Sequence, residues 1–412
     1  MSTVDDTALE IDGTSVVTLY PLYIGEQADG VHEVGRPETG VFIQLPPEGV
    51  ALLGWMADSF SLDEISRRFI AEYGVAPELD DFVDGMRECG FIQSINGQPA
   101  VSPEEQAAAG RPPSGWRLLA SLPSKRVAWL LAPPLRVLYW AIWLAVPAIF
   151  IMRPGLLPRS PDAVPYSSDV VNLVVLTILG WLLIFLHELG HVLAVRARDC
   201  TGSLAISRRL YFVVAQTDMS GVRTIPRRQR YAPYLAGTTV DLAILLCCLG
   251  LRMAGPAGTI NKLAQMACYF ICLQILFQLA IFLRTDFYFV LTNWLRLGNL
   301  NQDTQEILRA WWRSVRRRQH VPGPDIPARE RTLVHRYLPV YLLGIAAAFA
   351  NLILYVLPVL VTLVARAIDA IAGRSHSMSP WDGLALLLTV TANIALLGYV
   401  AIRDRRAVAR GR

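Results

Sequence analysis

Long apolar stretches dominate the chain after residue 126. A helix needs roughly 20 apolar residues to cross a lipid bilayer. Six stretches approach that length, at 137–152, 170–195, 231–251, 263–283, 338–364 and 384–402. The pattern predicts an α-helical polytopic membrane domain over residues 127–412. Pro133 and Pro134, which precede the first and shortest stretch, predict a kink or an interfacial segment there.

Residues 1–101 show short alternating runs and amphipathic segments instead. Two β-like runs in 31–45 flank Arg36-Pro37-Glu38-Thr39-Gly40, which predicts a hairpin. Three helical patterns follow, the first at about 47–57, the second from the capping box at Ser61 to Gly74, and the third from Pro77 to Gly90. A strand pattern at 91–95 comes last. This order predicts a small α+β domain of winged-helix type. Residues 102–126, rich in Pro, Gly and Ala, predict a linker.

Composition supports a membrane protein. Of the 412 residues, 53% are hydrophobic and 17% are charged, whereas charged residues make up about 25% of an ordinary soluble protein. The six cysteines show neither zinc-finger spacing nor a disulfide framework. Residues 1–10 are acidic and polar and lack the regions of a signal peptide, so we expect the first domain to stay in the cytoplasm.

Basic residues concentrate in alternate loops between the predicted spans. The loop after the second span contains Arg196, Arg198, Arg208, Arg209, Arg223, Arg227, Arg228 and Arg230. The loop after the fourth span and the C-terminal tail are also arginine-rich, and the intervening loops carry few basic residues. By the positive-inside rule, both termini and the two long loops lie in the cytoplasm. We therefore expect a multi-pass protein of the plasma (inner) membrane.

One motif with chemical meaning lies within the second apolar stretch, at His187-Glu188-Leu189-Gly190-His191. Residues four apart share one face of a helix, so His187 and His191 can present two imidazoles to one metal ion. Glu188 lies beside them, as a general base for a zinc-bound water requires. Ionisable groups in a membrane span are costly, which favours a functional role. The alternative, a chance motif, needs two histidines and a glutamate buried without a ligand.

A catalytic zinc takes three protein ligands and one water. The fourth span runs towards the cytoplasm and is followed by Asp286, which should reach the same depth as His191. A carboxylate at that position would complete the site. The alternative is an interfacial Asp286 paired with Arg284.

Other polar residues have more open roles. Asp241 lies inside the third span and should face the bundle interior, either as a partner of a ligating histidine or as an alternative ligand. Asp218, in the loop after the second span, either lines the substrate path or is a turn residue. His320 and His335 are expected at the surface.

The motif at His187, followed two spans later by Asp286, resembles the site-2 protease family of intramembrane zinc metalloproteases. More narrowly, it resembles the bacterial peptide zinc metalloprotease branch. That branch shows Asp-Gly-Tyr with an acid or amide a few residues later, and here Asp286-Phe287-Tyr288 precedes Asn293. Ala236-Gly237 resembles the Ala-Gly-Pro of the family, with Thr238 in place of proline.

The resemblance covers roughly residues 130–400 and implies zinc ligation by His187, His191 and Asp286, with Glu188 as base. Phe287 stands where the branch has glycine. The implied function is intramembrane zinc endopeptidase activity on a peptide or leader peptide near the cytoplasmic face, in ribosomal peptide maturation. The alternative is a non-proteolytic exporter subunit or immunity protein that retains the fold. An intact Glu188 argues against that alternative, since a scaffold needs no base.

Charge decides between partners of the N-terminal domain. Through Glu105 the chain carries four basic and twenty acidic residues, a balance that repels nucleic acid. The pattern resembles RiPP recognition elements, winged-helix modules that bind a leader peptide as an added strand. The binding edge would then be Val41-Phe42-Ile43-Gln44. A structural cap or dimerisation domain is the alternative.

Overall fold

The computed structural model describes residues 11–27, 30–37, 39, 41–100, 119, 121–200, 202–255, 258–298, 300–317, 326, 328–375 and 378–410. They fall into two compact units. The first comprises the described parts of Met1–Gly115 and Arg410–Arg412 together with Ser220–Ile225, and the second those of Trp116–Met219 and Pro226–Ala409. Residues 1–10, most of the predicted linker 102–126 and His320 lie outside the described residues.

The first unit combines two small antiparallel sheets with three helices. Its elements in chain order are β1 (Val17–Leu19), β2 (Tyr23–Ile24), β3 (His32–Arg36), β4 (Val41–Leu45), α1 (Pro47–Ala57), α2 (Leu62–Tyr73), α3 (Leu79–Glu88), β5 (Ile92–Ile95) and β6 (Gln98–Pro99). One sheet has the order β1-β5-β6 and the other β2-β3-β4. Their core is formed by apolar residues that include Val17, Leu53, Met56, Ile65 and Phe91.

The predicted hairpin, three helices and strand of this unit are confirmed as elements. Ser61 begins α2 by accepting a hydrogen bond from the backbone N–H of Glu64, and Gly74 ends it with φ 76°. Strands β1, β2 and β6 were not predicted, because each has only two or three residues. Strand β4 lies at one end of its sheet, the position that strand addition requires, and the winged-helix class stays a prediction.

The second unit is mostly helical. Its helices are α4 (Ser124–Val127), α5 (Pro133–Met152), α6 (Asp169–Ala197), α7 (Arg227–Ala254), α8 (Thr259–Gln278), α9 (Asp286–Leu295), α10 (Leu300–Arg317), α11 (Ala328–Asn351), α12 (Leu357–Ile371) and α13 (Pro380–Arg410). A π-helical segment, Leu352–Val356, joins α11 to α12. Within the described chain, six helical segments are long and apolar enough to cross a membrane, which is consistent with a multi-pass membrane protein.

Several boundaries differ from the predictions, and the fifth span is longer than predicted, from Glu330 to Ile371 instead of 338–364. Pro133 and Pro134 begin α5 instead of kinking it, because a proline fits the first helical turn, where its missing N–H has no partner to lose. The fourth long helix ends at Gln278, not near residue 283, and a short 3-10 turn at Ile281–Leu283 follows. The chain then reverses through Arg284, whose φ of 58° is incompatible with a continuing helix.

Helices α6, α7 and α8 form the centre of this unit. Gly190 permits close approach of α6 and α7, since a Cβ atom there would lie 2.8 Å from Cγ2 of Val240 and 3.1 Å from the carbonyl oxygen of Ala236. Between α6 and α7 the chain forms an antiparallel hairpin of β7 (Ser203–Arg209) and β8 (Phe212–Asp218). This hairpin was not predicted, and β8 contributes to the site described next.

Candidate metal centre

Three side chains from two helices converge on one point. Nε2 of His187 and Nε2 of His191 are 3.2 Å apart, and each lies 3.0 Å from Oδ2 of Asp286. All three residues are buried. This group can hold a metal ion. The separations are close to the roughly 3.3 Å between ligand atoms that a tetrahedral site with bonds of about 2.0–2.1 Å requires, so the donor set fits a metal.

The outer nitrogen of each imidazole is anchored on α7. Nδ1 of His191 donates to the carbonyl oxygen of Pro233 at 2.8 Å, and Nδ1 of His187 lies 2.7 Å from Oδ2 of Asp241. A carbonyl oxygen can only accept, so Nδ1 of His191 carries the proton and leaves the lone pair of Nε2 free for a metal. Asp241, fully buried, thus lies behind His187 as its hydrogen-bond partner and not among the converging ligand atoms.

Asp286 is positioned by the turn between α8 and α9. Its backbone N–H donates to Oε1 of Gln278 at 3.0 Å, and Oγ1 of Thr285 donates to the carbonyl oxygen of Gln278 at 2.7 Å. Both bonds hold the first turn of α9 against the end of α8. The carboxylate consequently faces the two histidines, while Arg284 is exposed. Phe287, which follows Asp286 directly, does not prevent this arrangement.

Glu188 is held beside the cluster by a residue of the hairpin. Its Oε2 accepts hydrogen bonds from both the backbone N–H and the Oγ1 hydroxyl of Thr217, each at 2.7 Å. Within the described residues, the hydrogen bonds of this carboxylate all use Oε2, which leaves Oε1 available to a water. Thr217 was not singled out from the sequence, although the neighbouring Asp218 was, because only the pairing of α6 with β8 connects it to the motif.

Gly237 lies on the other side of the cluster. A Cβ atom at this position would collide with Nε2 of both His187 and His191. The backbone of α7 therefore passes directly against the ligand atoms, and only a residue without a side chain fits. The Ala236-Gly237 pair in the sequence signals this close approach.

A cavity of about 350 Å³ opens at the cluster. His187, Glu188, His191 and Asp286 form its polar end. The other lining residues are apolar or belong to the hairpin, except for Gln274 and Gln278 of α8. They are Ile184, Arg209, Val213, Val214, Ala215, Gln216, Thr217, Met219, Phe270, Leu273, Phe277 and Phe289. Strand β8 thus runs along one wall and places a continuous stretch of extended backbone beside the cluster.

Two further candidates, Asn293 and Asp218, are not among the residues that line the cavity. Asn293 joins α9 to the start of α7, because its Nδ2 donates to the carbonyl oxygen of Arg227 at 3.1 Å and its own carbonyl accepts from the Arg227 guanidinium at 2.8 Å. Asp218 ends β8 opposite Ser203 and is not among the lining residues. The structure therefore gives neither residue a place on the cavity wall. His335 is exposed, as expected.

Comparisons with known proteins found no relative of this chain. No family model matches the chain, and no match was found among curated proteins or solved structures. The case for function therefore depends on the geometry of the cluster and its cavity.

Proposed function

We propose that the protein is a membrane-embedded zinc endopeptidase whose centre consists of His187, His191, Asp286 and Glu188. One observation carries this proposal. Nε2 of His187, Nε2 of His191 and Oδ2 of Asp286 lie within 3.2 Å of one another. Beside them lies the carboxylate of Glu188, which Thr217 holds. A purely structural cluster would need no second carboxylate facing a cavity. Two imidazoles and one carboxylate are a common ligand set of catalytic zinc, which supports zinc as the metal.

When bound, zinc supplies Lewis acidity that polarises a peptide carbonyl and makes a water more acidic. The residues of the chain perform the proton transfers. Oε1 of Glu188 accepts a proton from the attacking water as the new C–O bond forms. The protonated Glu188 then delivers that proton to the amide nitrogen as the C–N bond breaks. Thr217 holds Oε2 throughout, so that the same oxygen serves in both transfers.

The cavity supports a peptide as the substrate. Its walls are largely apolar, which excludes water and strengthens electrostatic interactions at the polar end. The backbone of β8 beside the cluster offers hydrogen-bonding groups at the spacing of an extended chain. A peptide laid along this wall would bring its backbone next to Glu188.

The remaining parts of the proposal concern the cell. We place the protein in the plasma (inner) membrane with both termini in the cytoplasm, because of the charge pattern of the loops.

The acidic N-terminal unit is proposed to bind a precursor peptide along β4, which lies at one end of its sheet. Holding one end of a substrate raises its local concentration at the centre. The proposed role is maturation of a ribosomally made peptide.

Co-expression tests this function directly. The full-length protein would be expressed with short peptides encoded by neighbouring genes, and the products compared by mass spectrometry between wild type and Glu188→Gln. Cleavage products that depend on Glu188, together with near-stoichiometric zinc in the purified protein, support the proposal. Unchanged peptides and a protein without zinc would favour an exporter subunit or immunity protein instead.

A further inference from the structure

Arg209 brings a positive charge to the cavity wall. It is the last residue of β7, lines the cavity and donates from a guanidinium NH2 to Oε1 of Gln216 at 3.3 Å. In the hairpin register Arg209 pairs with Phe212 and Gln216 with Ala205, so Arg209 and Gln216 lie on the same face. The guanidinium thus extends from the turn of the hairpin back along this face to Gln216.

The neighbouring arginine provides a contrast. Arg208 projects to the opposite face of the hairpin, is exposed, and donates to the carbonyl oxygen of Leu210 at 2.9 Å. It is not among the residues that line the cavity. Two adjacent arginines therefore have the same chemistry but different surroundings, and only one faces the proposed substrate.

The charges of the cavity leave Arg209 without a carboxylate. Among the described lining residues, the other ionisable groups are His187, Glu188, His191 and Asp286, and all four belong to the centre. None of the described ion pairs includes Arg209, whose hydrogen-bond partner is the neutral amide of Gln216. Burial lowers the pKa of the Arg209 guanidinium, and the charges of Asp286 and Glu188 act against that shift.

The carboxylates at the centre are those of Asp286, Glu188 and, behind His187, Asp241. A bound divalent ion would balance two of these charges, and no described ion pair joins any of the three carboxylates to Arg209. A partly buried cation without an anion is unfavourable unless a ligand supplies one. The planar guanidinium matches a carboxylate through two parallel hydrogen bonds. In a cavity whose walls are largely apolar, such a pair would be both strong and selective.

We propose that Arg209 binds a carboxylate of the peptide substrate, so that the preferred substrates carry an acidic side chain or a free C-terminal carboxylate near the scissile bond. This inference rests on the proposed peptidase function. Arg209 acts here as a specificity residue, because it touches the substrate at a distance from the reacting carbonyl.

The experiment uses the zinc-loaded full-length protein and a synthetic library of decapeptides. Glu is scanned through each position against Gln, and every peptide is made with a free acid and with an amide at its C-terminus. Mass spectrometry gives relative kcat/KM values. We expect one Glu position, or the free C-terminus, to raise kcat/KM by about 10- to 100-fold over its neutral counterpart. The position that matters distinguishes a side-chain carboxylate from the terminal one.

Three variants assign this preference to a residue. Arg209→Gln should abolish the preference while neutral peptides are still cleaved, and Arg209→Lys should retain part of it. Arg208→Gln is the matched control and should keep the preference of the wild type. An equal loss on acidic and neutral peptides in Arg209→Gln would overturn the proposal, because Arg209 would then serve the reaction and not recognition. Zinc content and thermal melting verify that each variant is folded.

A binding measurement separates this inference from the proposed function. Fluorescein-labelled acidic and neutral peptides from the same library are titrated with Glu188→Gln protein, and their anisotropy is recorded with and without Arg209→Gln. A preference for the acidic peptides that Arg209→Gln removes supports the inference even if the wild type cleaves nothing, in which case only the peptidase function fails. Equal affinity for both peptide classes, or no binding of either, would overturn the role of Arg209.

Discussion

Thr217 and Glu188 are joined by two hydrogen bonds of 2.7 Å, both to Oε2 of the carboxylate. One comes from the backbone N–H of a strand and the other from its side chain, so a hairpin residue fixes the orientation of a helical glutamate. The helix alone places Glu188 between the histidines in sequence but leaves its side-chain rotamers open. Thr217 selects one of them, which makes the hairpin part of the centre.

The first prediction concerns Glu188. Glu188→Gln should abolish peptide cleavage and keep the metal, because the amide preserves size but cannot accept the proton of the attacking water, and both histidines remain. Cleavage is measured by mass spectrometry and zinc by elemental analysis of purified protein. Cleavage at the normal rate would exclude Glu188 as the base.

Thr217 should affect the rate through Glu188. Thr217→Val removes the hydroxyl and keeps the backbone N–H, so one of the two bonds to Oε2 is lost. We expect kcat to fall about 10- to 100-fold with little change in KM, since a charge-assisted hydrogen bond contributes about 1.5–3 kcal/mol. Thr217→Ser restores the hydroxyl and should recover most of the rate. An inactive Thr217→Ser would instead indicate a packing role for the methyl group.

Asp286 and Asp241 should differ in their effect on metal content. Asp286→Ala removes one of three converging ligand atoms and should lower zinc occupancy strongly. Asp241→Asn changes only the partner of Nδ1 of His187 and should leave most of the metal bound while reducing activity, with an affinity loss of about 10- to 100-fold. Competition with a zinc chelator measures both affinities. The opposite ranking would make Asp241 the ligand.

Gly237 should be intolerant of any side chain. Gly237→Ala would place a Cβ atom against Nε2 of both histidines, and we expect loss of metal binding even if the protein folds. Gly250, on the same helix, has open space where its Cβ atom would lie, so Gly250→Ala is a matched control that should bind metal normally. Metal content and thermal melting are measured for both variants and compared. Normal zinc content in Gly237→Ala would mean that α7 can move away from the centre.

The N-terminal unit should act on long substrates only. Deleting residues 1–110 should raise KM for a long precursor far more than for a short peptide that spans the cleavage site, because tethering helps only a substrate that reaches both units. Kinetics of the full and truncated proteins on both substrates provide the test. If the truncated protein handles the two substrates as well as the full chain does, the unit is a structural cap or a dimerisation domain.

Several elements were predictable because their signals are local. The spacing of His187 and His191 follows from helical periodicity, and six apolar stretches identify helices that agree with the structure to within a few residues except at 278–283 and in the fifth span. Ser61 and Gly74 delimit α2 as their capping chemistry predicts. Short strands such as β2 carry too few residues for a detectable pattern, and the sequence predicts a loop where the structure has the β7–β8 hairpin.

The sequence by itself determined a mostly helical protein with six segments long and apolar enough to cross a membrane, and with two histidines and a glutamate at metal-site spacing on one helix. These properties depend on residues within a few turns of each other. Only the tertiary structure decided that Asp286 meets the histidines, that Asp241 lies behind one of them, and that Thr217 holds Glu188. These contacts join residues 29 to 99 positions apart. They depend on how α6, α7, α8 and the hairpin pack together, which no local pattern specifies.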